Sequence, residues 1–230
     1  MPNLVQENLS AKIDQKLRQH PKLSAYALKA RVYENGTVQI QGIVDVLEEK
    51  IQAEGLLGNI PGIKKIENDI TVCTDGEIND LDVAFEVAEE FQANPEVPLT
   101  VGVKVTGGEV QLLGRVNNFN QAQEALETAA KARGVREVIS HLKLKDYYDD
   151  ASLNNLVQAT LMTEPELSPG RVKSITHHGV VSLFGKLTET QIVTAFNAVS
   201  RIPGIRHIHN LINQPAIEPD SQILQIDNQM

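Results

Sequence analysis

Three stretches decide how this chain folds: Gly36-Thr37-Val38-Gln39-Ile40-Gln41-Gly42, Gly108-Glu109-Val110-Gln111-Leu112-Leu113-Gly114 and Gly179-Val180-Val181-Ser182-Leu183-Phe184-Gly185. Each is a Gly-x5-Gly run whose apolar side chains alternate, the period of a half-buried strand. Their first glycines stand 72 and 71 residues apart. About twenty residues further on, each run is followed by a second marker: Pro61-Gly62-Ile63, Arg133-Gly134-Val135 or Pro203-Gly204-Ile205. Upstream of the runs stand Pro21, Pro95 and Pro165. Agreement at three separate markers means one unit repeated three times.

Working outward, each unit opens with a helix-spaced apolar stripe. These are Leu9, Ile13, Leu17; then Leu81, Ala84, Phe85, Ala88; then Leu153, Leu156, Val157, Leu161. His20-Pro21, Asn94-Pro95 and Glu164-Pro165 stop the helix, because the residue before proline avoids the α region. A hairpin follows. In the second unit a tight Gly107-Gly108 turn pairs Val105 with Val110. In the first, a two-residue turn would give a poor face. A bulged Glu34-Asn35-Gly36 turn instead pairs Val32 with Val38 and Ala30 with Ile40. The third unit is expected to copy the first, pairing Ile175 with Val181 across His177-His178-Gly179, with a distortion at Lys173 and Ser174.

A second helix starts just past the closing glycine, where Asp45-x-x-Glu48, Asn118-x-x-Gln121 and Thr188-x-x-Gln191 resemble capping boxes. Its stripe is clearest as Ala122, Ala125, Leu126, Ala129 and as Ile192, Ala195, Phe196, Val199. A last strand follows each Gly: Ile63, Ile66, Ile70; Val135, Val138, Leu142; Ile205, Ile208, Ile212. The fold class is therefore α+β: three tandem α-β-β-α-β modules, each a small three-stranded sheet with two helices on one face. The expected boundaries are 1–74, 75–146 and 147–213, with a tail at 214–230. A unit of ~70 residues has a thin core, so neighbouring units are expected to pack together.

Composition narrows the function. The 230 residues are 41% apolar and carry a net charge of −9, with 4% aromatics and no Trp. A chain this acidic and this poor in stacking rings disfavours nucleic acid as a partner. No run approaches the ~20 apolar residues of a membrane span. The single cysteine, Cys73, excludes an internal disulfide framework and a multi-cysteine metal site. The start, Met1-Pro2-Asn3-Leu4-Val5, lacks a basic stretch followed by an apolar one. A cytoplasmic protein, peripheral at a membrane, is expected; the alternative is a periplasmic one read in its trimmed mature form.

The pattern of a helix ending at Pro, a "V-x-V…G-V-x-L-x-G" hairpin, a helix and "PGI-x-x-I" resembles the BON domain. That domain is named for bacterial osmotically inducible and nodulation proteins. The likeness runs over residues 6–213, through Asn35-Gly36-Thr37-Val38 with Pro61-Gly62-Ile63, Gly108-Glu109-Val110 with Gly134-Val135, and Gly179-Val180-Val181 with Pro203-Gly204-Ile205. It implies a non-enzymatic attachment module for phospholipid surfaces or envelope proteins, linked to envelope integrity and osmotic stress, with no cofactor. It supplies no catalytic residues. Gly36, Gly42, Gly62, Gly108, Gly114, Gly134, Gly179, Gly185 and Gly204 are then fold residues, permitting positive φ or close backbone approach.

Four of the six histidines, His177, His178, His207 and His209, fall in the third unit. His207 and His209 share one side of a strand, whereas His177 and His178, if extended, point to opposite faces. With no carboxylate or thiol at ligand spacing, no metal is expected. A pH response is the softer possibility: residues 147–230 carry 5 basic and 8 acidic residues, and four protonated imidazoles would reverse that sign. Residues 1–74 balance at 9 and 9, whereas 75–146 carry 7 and 13. Lipid contact would therefore favour the first unit, through Lys12, Lys16, Arg18 and Lys22, unless these line a solvated helix face.

Gly179 to Lys186 is not a phosphate loop, having five residues between its glycines. Asn8-Leu9-Ser10 and Asn35-Gly36-Thr37 match the glycosylation sequon only as short strings, and Cys73 has no base positioned by spacing. A soluble protein–protein scaffold is the second function, and an ion or small-ligand sensor the third. The tail carries Ile223-Leu224-Gln225-Ile226, which suits either a flexible end or a segment that pairs along a sheet edge.

Overall fold

A computed structural model describes residues 4–33, 35–73, 78–144, 148–167 and 170–213. The tail and its apolar run lie outside the described residues. In the first repeat, α1 (Leu4–Gln19) leads through a short 3-10 turn into β1 (Lys29–Val32), β2 (Thr37–Val44), α2 (Leu47–Gly58) and β3 (Lys65–Val72). The second contains α3 (Asp80–Ala93), β4 (Val101–Thr106), β5 (Glu109–Val116), α4 (Phe119–Ala129) and β6 (Glu137–Leu144). The third contains α5 (Asp150–Thr163), β7 (Val172–His177), β8 (Val180–Gly185), α6 (Glu189–Ser200) and β9 (His207–Ile212). Each repeat builds its own three-stranded sheet, in the orders β1-β2-β3, β4-β5-β6 and β7-β8-β9.

The topology follows from the connections. A short turn makes β1–β2 and β7–β8 antiparallel; a crossover helix makes β2–β3 and β8–β9 parallel. Alternate strand residues meet the helices. In the first repeat Val38, Ile40 and Ile70 pack with Ile13, Leu17 and Leu57; in the third, Val181, Leu183 and Ile208 pack with Leu153, Val157 and Val199. Each such side chain contributes roughly 1.5–3 kcal/mol on burial. Two glycine sets shape the hairpins. A Cβ on Gly108 or Gly179 would stand 2.9 Å from the carbonyl oxygen of Gly134 or Gly204, so the hairpin tip needs its glycine where it meets the turn before the third strand. A Cβ on Gly114 or Gly185 would run into the carbonyl of Thr100 or Arg171.

The register expected for the first two hairpins is observed: Val32 faces Val38, Ala30 faces Ile40, and Val105 faces Val110. The third hairpin departs from expectation. Thr176 faces Val181 and His177 faces Val180, so its turn is the tight His178-Gly179. Nor is β7 distorted at Lys173 and Ser174, since it pairs without a break from Val172 to His177. The physical reason is a polar core position. Ser174, 8% exposed, accepts a hydrogen bond from Gln158 Nε2 (2.8 Å) and donates to Asn154 Oδ1 (2.8 Å), both on α5. A satisfied hydroxyl is tolerated inside, and Ile175 turns outward.

Two smaller corrections concern helices. On α3 the buried stripe is Val83 and Val87; Leu81 and Phe85 are 81% and 64% exposed. The α2 cap is shifted by one residue. Glu49, not Glu48, reaches back to the Val46 and Asp45 N–H groups, and Asp45 instead accepts from the Tyr26 hydroxyl. The Thr188/Gln191 pair closes as expected, whereas at α4 the Gln121 N–H donates to Asn118 Oδ1 but Gln121 Oε1 accepts from the Asn117 N–H, one residue earlier than a capping box would have it.

The described residues form two compact units, those within 4–114 and 124–142, and those within 115–123 and 143–213. Within the first, the Glu48 N–H donates to the Ala130 carbonyl. Within the second, the Phe119 ring stands edge-on to Phe196 and His207 at 6.1 and 5.6 Å, and the Gly204 N–H donates to the Asn117 carbonyl.

Candidate functional site

Lys12 and Lys16, one turn apart on α1, share a solvent-facing stripe beside the one formed by the buried Ile13 and Leu17. Arg18 stands elsewhere on the helix, beside a shallow hollow with Ala11, Asp14, Gln15 and Gln19. Lys22 lies beyond the helix end, its Nζ 2.6 Å from Glu48 Oε2. The four cations of the sequence reading thus resolve into one pair and two separated members.

The sheet surface away from the helices differs between repeats. In the first, the middle row is Arg31, Gln39 and Glu67, and the next is Lys29, Gln41 and Asp69. This surface is polar and tied to itself. Tyr33 Oη donates to Gln39 Oε1 (2.9 Å), Gln39 Nε2 donates to Asp69 Oδ2 (2.6 Å), and Lys65 pairs with Glu67 (2.8 Å). The Arg31 guanidinium lies 5.5 Å from the Tyr33 ring centroid. In the second repeat, alternation puts Glu109 and Gln111 on this side of β5.

In the third repeat the equivalent rows are His177, Val180 and His207; Ile175, Ser182 and His209; Lys173, Phe184 and Leu211. None of the nine is a carboxylate. His207 and His209 stack edge-on with centroids 4.7 Å apart. Burial, and then the charge of His209, push the His207 imidazole below the ordinary histidine range. His178 departs from the alternation expected of it. It occupies the turn with φ 47°, and its ring lies 4.3 Å from that of His177 instead of across the sheet.

The hairpin tips are held by a device that sequence reasoning missed. Asp80, at the first turn of α3, accepts the N–H groups of Gly107 (2.9 Å) and Gly108 (3.0 Å). Asp150, at the first turn of α5, accepts those of His178 (2.8 Å) and Gly179 (3.2 Å). Partial burial works against ionisation of Asp150. The two backbone donors, and then the nearby His178 and His177, outweigh it and hold the carboxyl below its usual range. The signal in the sequence is a carboxylate 28 residues before Gly108 and 29 before Gly179.

Beside the second lock is a cavity of about 330 Å3, bounded by Tyr148, Asp149, Leu153, Gly204 and Arg206. The Asp150 oxygens at its edge are engaged by the turn, which leaves this carboxylate a structural part. In the second repeat Ile78 and Val83 close over the corresponding Gly134. Among the described residues, no group of three or more His, Cys, Asp or Glu side chains is placed to hold a metal ion. No helix among them is long and apolar enough to cross a membrane. Cys73 is exposed just past β3, and Gly179 to Lys186 is mostly strand β8.

Three copies of one small α+β unit define a tandem-repeat protein. The chain belongs to the BON domain family, which matches it at residues 6–74, 79–146 and 149–216. It is similar to the 21 kDa hemolysin of Actinobacillus pleuropneumoniae, 25% identical over 60% of this chain and 74% of that one. It is similar to the outer membrane lipoprotein DolP of Haemophilus influenzae, 24% identical over 59% of this chain and 74% of that one. A protein of Anaplasma centrale, described as uncharacterized, is 28% identical over 58% of this chain and 91% of its own.

Proposed function

We propose that this protein is a non-catalytic binding protein that associates peripherally with anionic phospholipid at a membrane or envelope surface. The observation that carries it is kinship, in a shared fold, with an outer membrane lipoprotein and a hemolysin. The exposed Lys12 and Lys16 pair offers a point of contact in the repeat with no net charge. An anionic leaflet attracts each such cation by about 1 kcal/mol. Cosedimentation with phosphatidylglycerol vesicles should therefore weaken by at least tenfold in the Lys12→Glu/Lys16→Glu chain and fall at high salt. Binding that ignores both changes would refute the α1 contact, and no binding of the intact chain would refute the lipid reading.

A scaffold role for protein partners is the second reading, and Leu81 with Phe85 favours it. They form an exposed apolar pair one turn apart on α3, in the most acidic of the three segments. Loss of a captured protein on Phe85→Ser, with vesicle binding unchanged, would support that reading.

A further inference from the structure

We propose that the open sheet face of the third repeat is a second, acid-strengthened docking surface for anionic phospholipid, with His177, His207 and His209 as its proton-controlled cations. The inference rests on the lipid reading above and assigns it a separate surface and a regulation.

Three observations carry it. First, the face is chemically unlike its counterparts: Gln39, Glu67 and Asp69 close the first sheet's surface with internal hydrogen bonds, whereas Ser182, His209 and Leu211 stand at positions set by the same register. Second, a chain with 30 Asp and Glu places none of them among these nine positions. Third, the apolar members Ile175, Val180, Phe184 and Leu211 are only partly buried, and they interleave with the basic ones. A small pleated surface mixing imidazoles, one lysine and half-exposed aliphatic groups suits a lipid headgroup layer, where apolar side chains and cations are both accommodated.

The charges around the face decide the direction of the pH effect. Lys173 supplies one fixed positive charge on β7, and Arg206 immediately precedes β9. His178 lies in the turn beside His177. From α5, Asp150 faces this end, with its carboxylate bound to the His178 and Gly179 N–H groups. Phe119, which meets the His207 ring, is uncharged. Protonating the three face histidines takes the nine positions from one positive charge to four. Each cation at an anionic leaflet strengthens binding about fivefold. Burial and His209 hold His207 back, so it adds its charge at a lower pH than an ordinary histidine. Two added positive charges at an anionic leaflet amount to about 25-fold.

The test is flotation of the intact chain with phosphatidylglycerol/phosphatidylcholine vesicles and with phosphatidylcholine alone, at pH 7.5 and 5.5. The chain is compared with His177→Gln/His207→Gln/His209→Gln and with Ser182→Glu. Thermal melts confirm that each variant folds. The expected result is a gain of about 25-fold on acidification for anionic vesicles only, reduced to a few-fold in the histidine variant, with Ser182→Glu binding about fivefold more weakly at both pH values. A pH gain undiminished in the histidine variant overturns the proposal. So does pH-independent binding that Lys12→Glu/Lys16→Glu abolishes, and in that case the lipid reading stands. Absence of binding at both pH values overturns the two together. An acid-dependent gain toward soluble polyglutamate, with none toward vesicles, would assign the face to an acidic protein and overturn the lipid assignment.

Discussion

At the centre of the first repeat's sheet stands Gln39, flanked by Arg31 and Glu67; at the same place in the third stands Ser182, flanked by Ile175 and His209. The backbones are alike, with an antiparallel hairpin, a parallel third strand and a closing glycine at φ 151° or 149°. The helix-facing sides are alike too, Val38 and Ile40 answering to Val181 and Leu183. On the second and third strands of the two sheets, only the outward side has diverged. One repeat hydrogen-bonds its polar groups to one another, and the other leaves half-exposed aliphatic groups among imidazoles. A core fixed by burial leaves the opposite side of the same strands free to carry different chemistry, because their side chains alternate with period two.

The comparison can be broken most violently at the closing glycines. Alanine at Gly185 would drive its Cβ into the Arg171 backbone, whereas at Gly42 the nearest atom is Leu28 Cδ2, which can move. Gly185→Ala should cost about 3 kcal/mol or more in urea melts, and Gly42→Ala about 1–2 kcal/mol. Equal costs would mean that the two hairpins are closed differently from this description.

The next effect lies at the hairpin lock. Asp150→Ala removes the acceptor for two turn N–H groups and should cost about 1 kcal/mol at pH 7, after allowing for solvent exposure. Because the folded carboxyl is held below its unfolded value, its stabilisation is present above the unfolded pKa and lost as pH falls through the folded one. Melts of wild type and variant should converge below about pH 4. In the first repeat an uncharged Gln6 stands three residues before Leu9, as Asp150 stands before Leu153, so Gln6→Ala should show no such pH dependence.

The smallest effect comes from His207. Its folded imidazole resists protonation, so the stability of the neutral form is complete above the unfolded histidine value, near 6.5, and declines as pH falls toward the folded one. His207→Gln should remove a few tenths of a kcal/mol of that decline between pH 7 and 5. An unchanged slope would show that the ring is not set apart by burial and His209.

The repeats, the order of elements and two of the three hairpin registers were legible in the sequence, because apolar alternation there coincides with burial. The third register was not. Ser174 and Thr176 face α5, and what makes that acceptable is Asn154, 20 and 22 residues earlier in the chain. Alternation treats a polar side chain as outward and cannot see a partner so far away. On α3, Leu81/Phe85 and Val83/Val87 are both apolar pairs one turn apart, and only packing against the sheet selects the second. The histidines were visible as a cluster, but the tight turn separates His178 from the three that share the sheet face.

The most direct measurement follows backbone amide and imidazole resonances of the intact chain as phosphatidylglycerol nanodiscs are added at pH 5.5. The account predicts that shifts and broadening concentrate at Lys12 and Lys16 on α1 and at His177, His207 and His209, while Leu81 to Ala88 stay unperturbed. Perturbation confined to Leu81 and Phe85, or no perturbation anywhere, would contradict it.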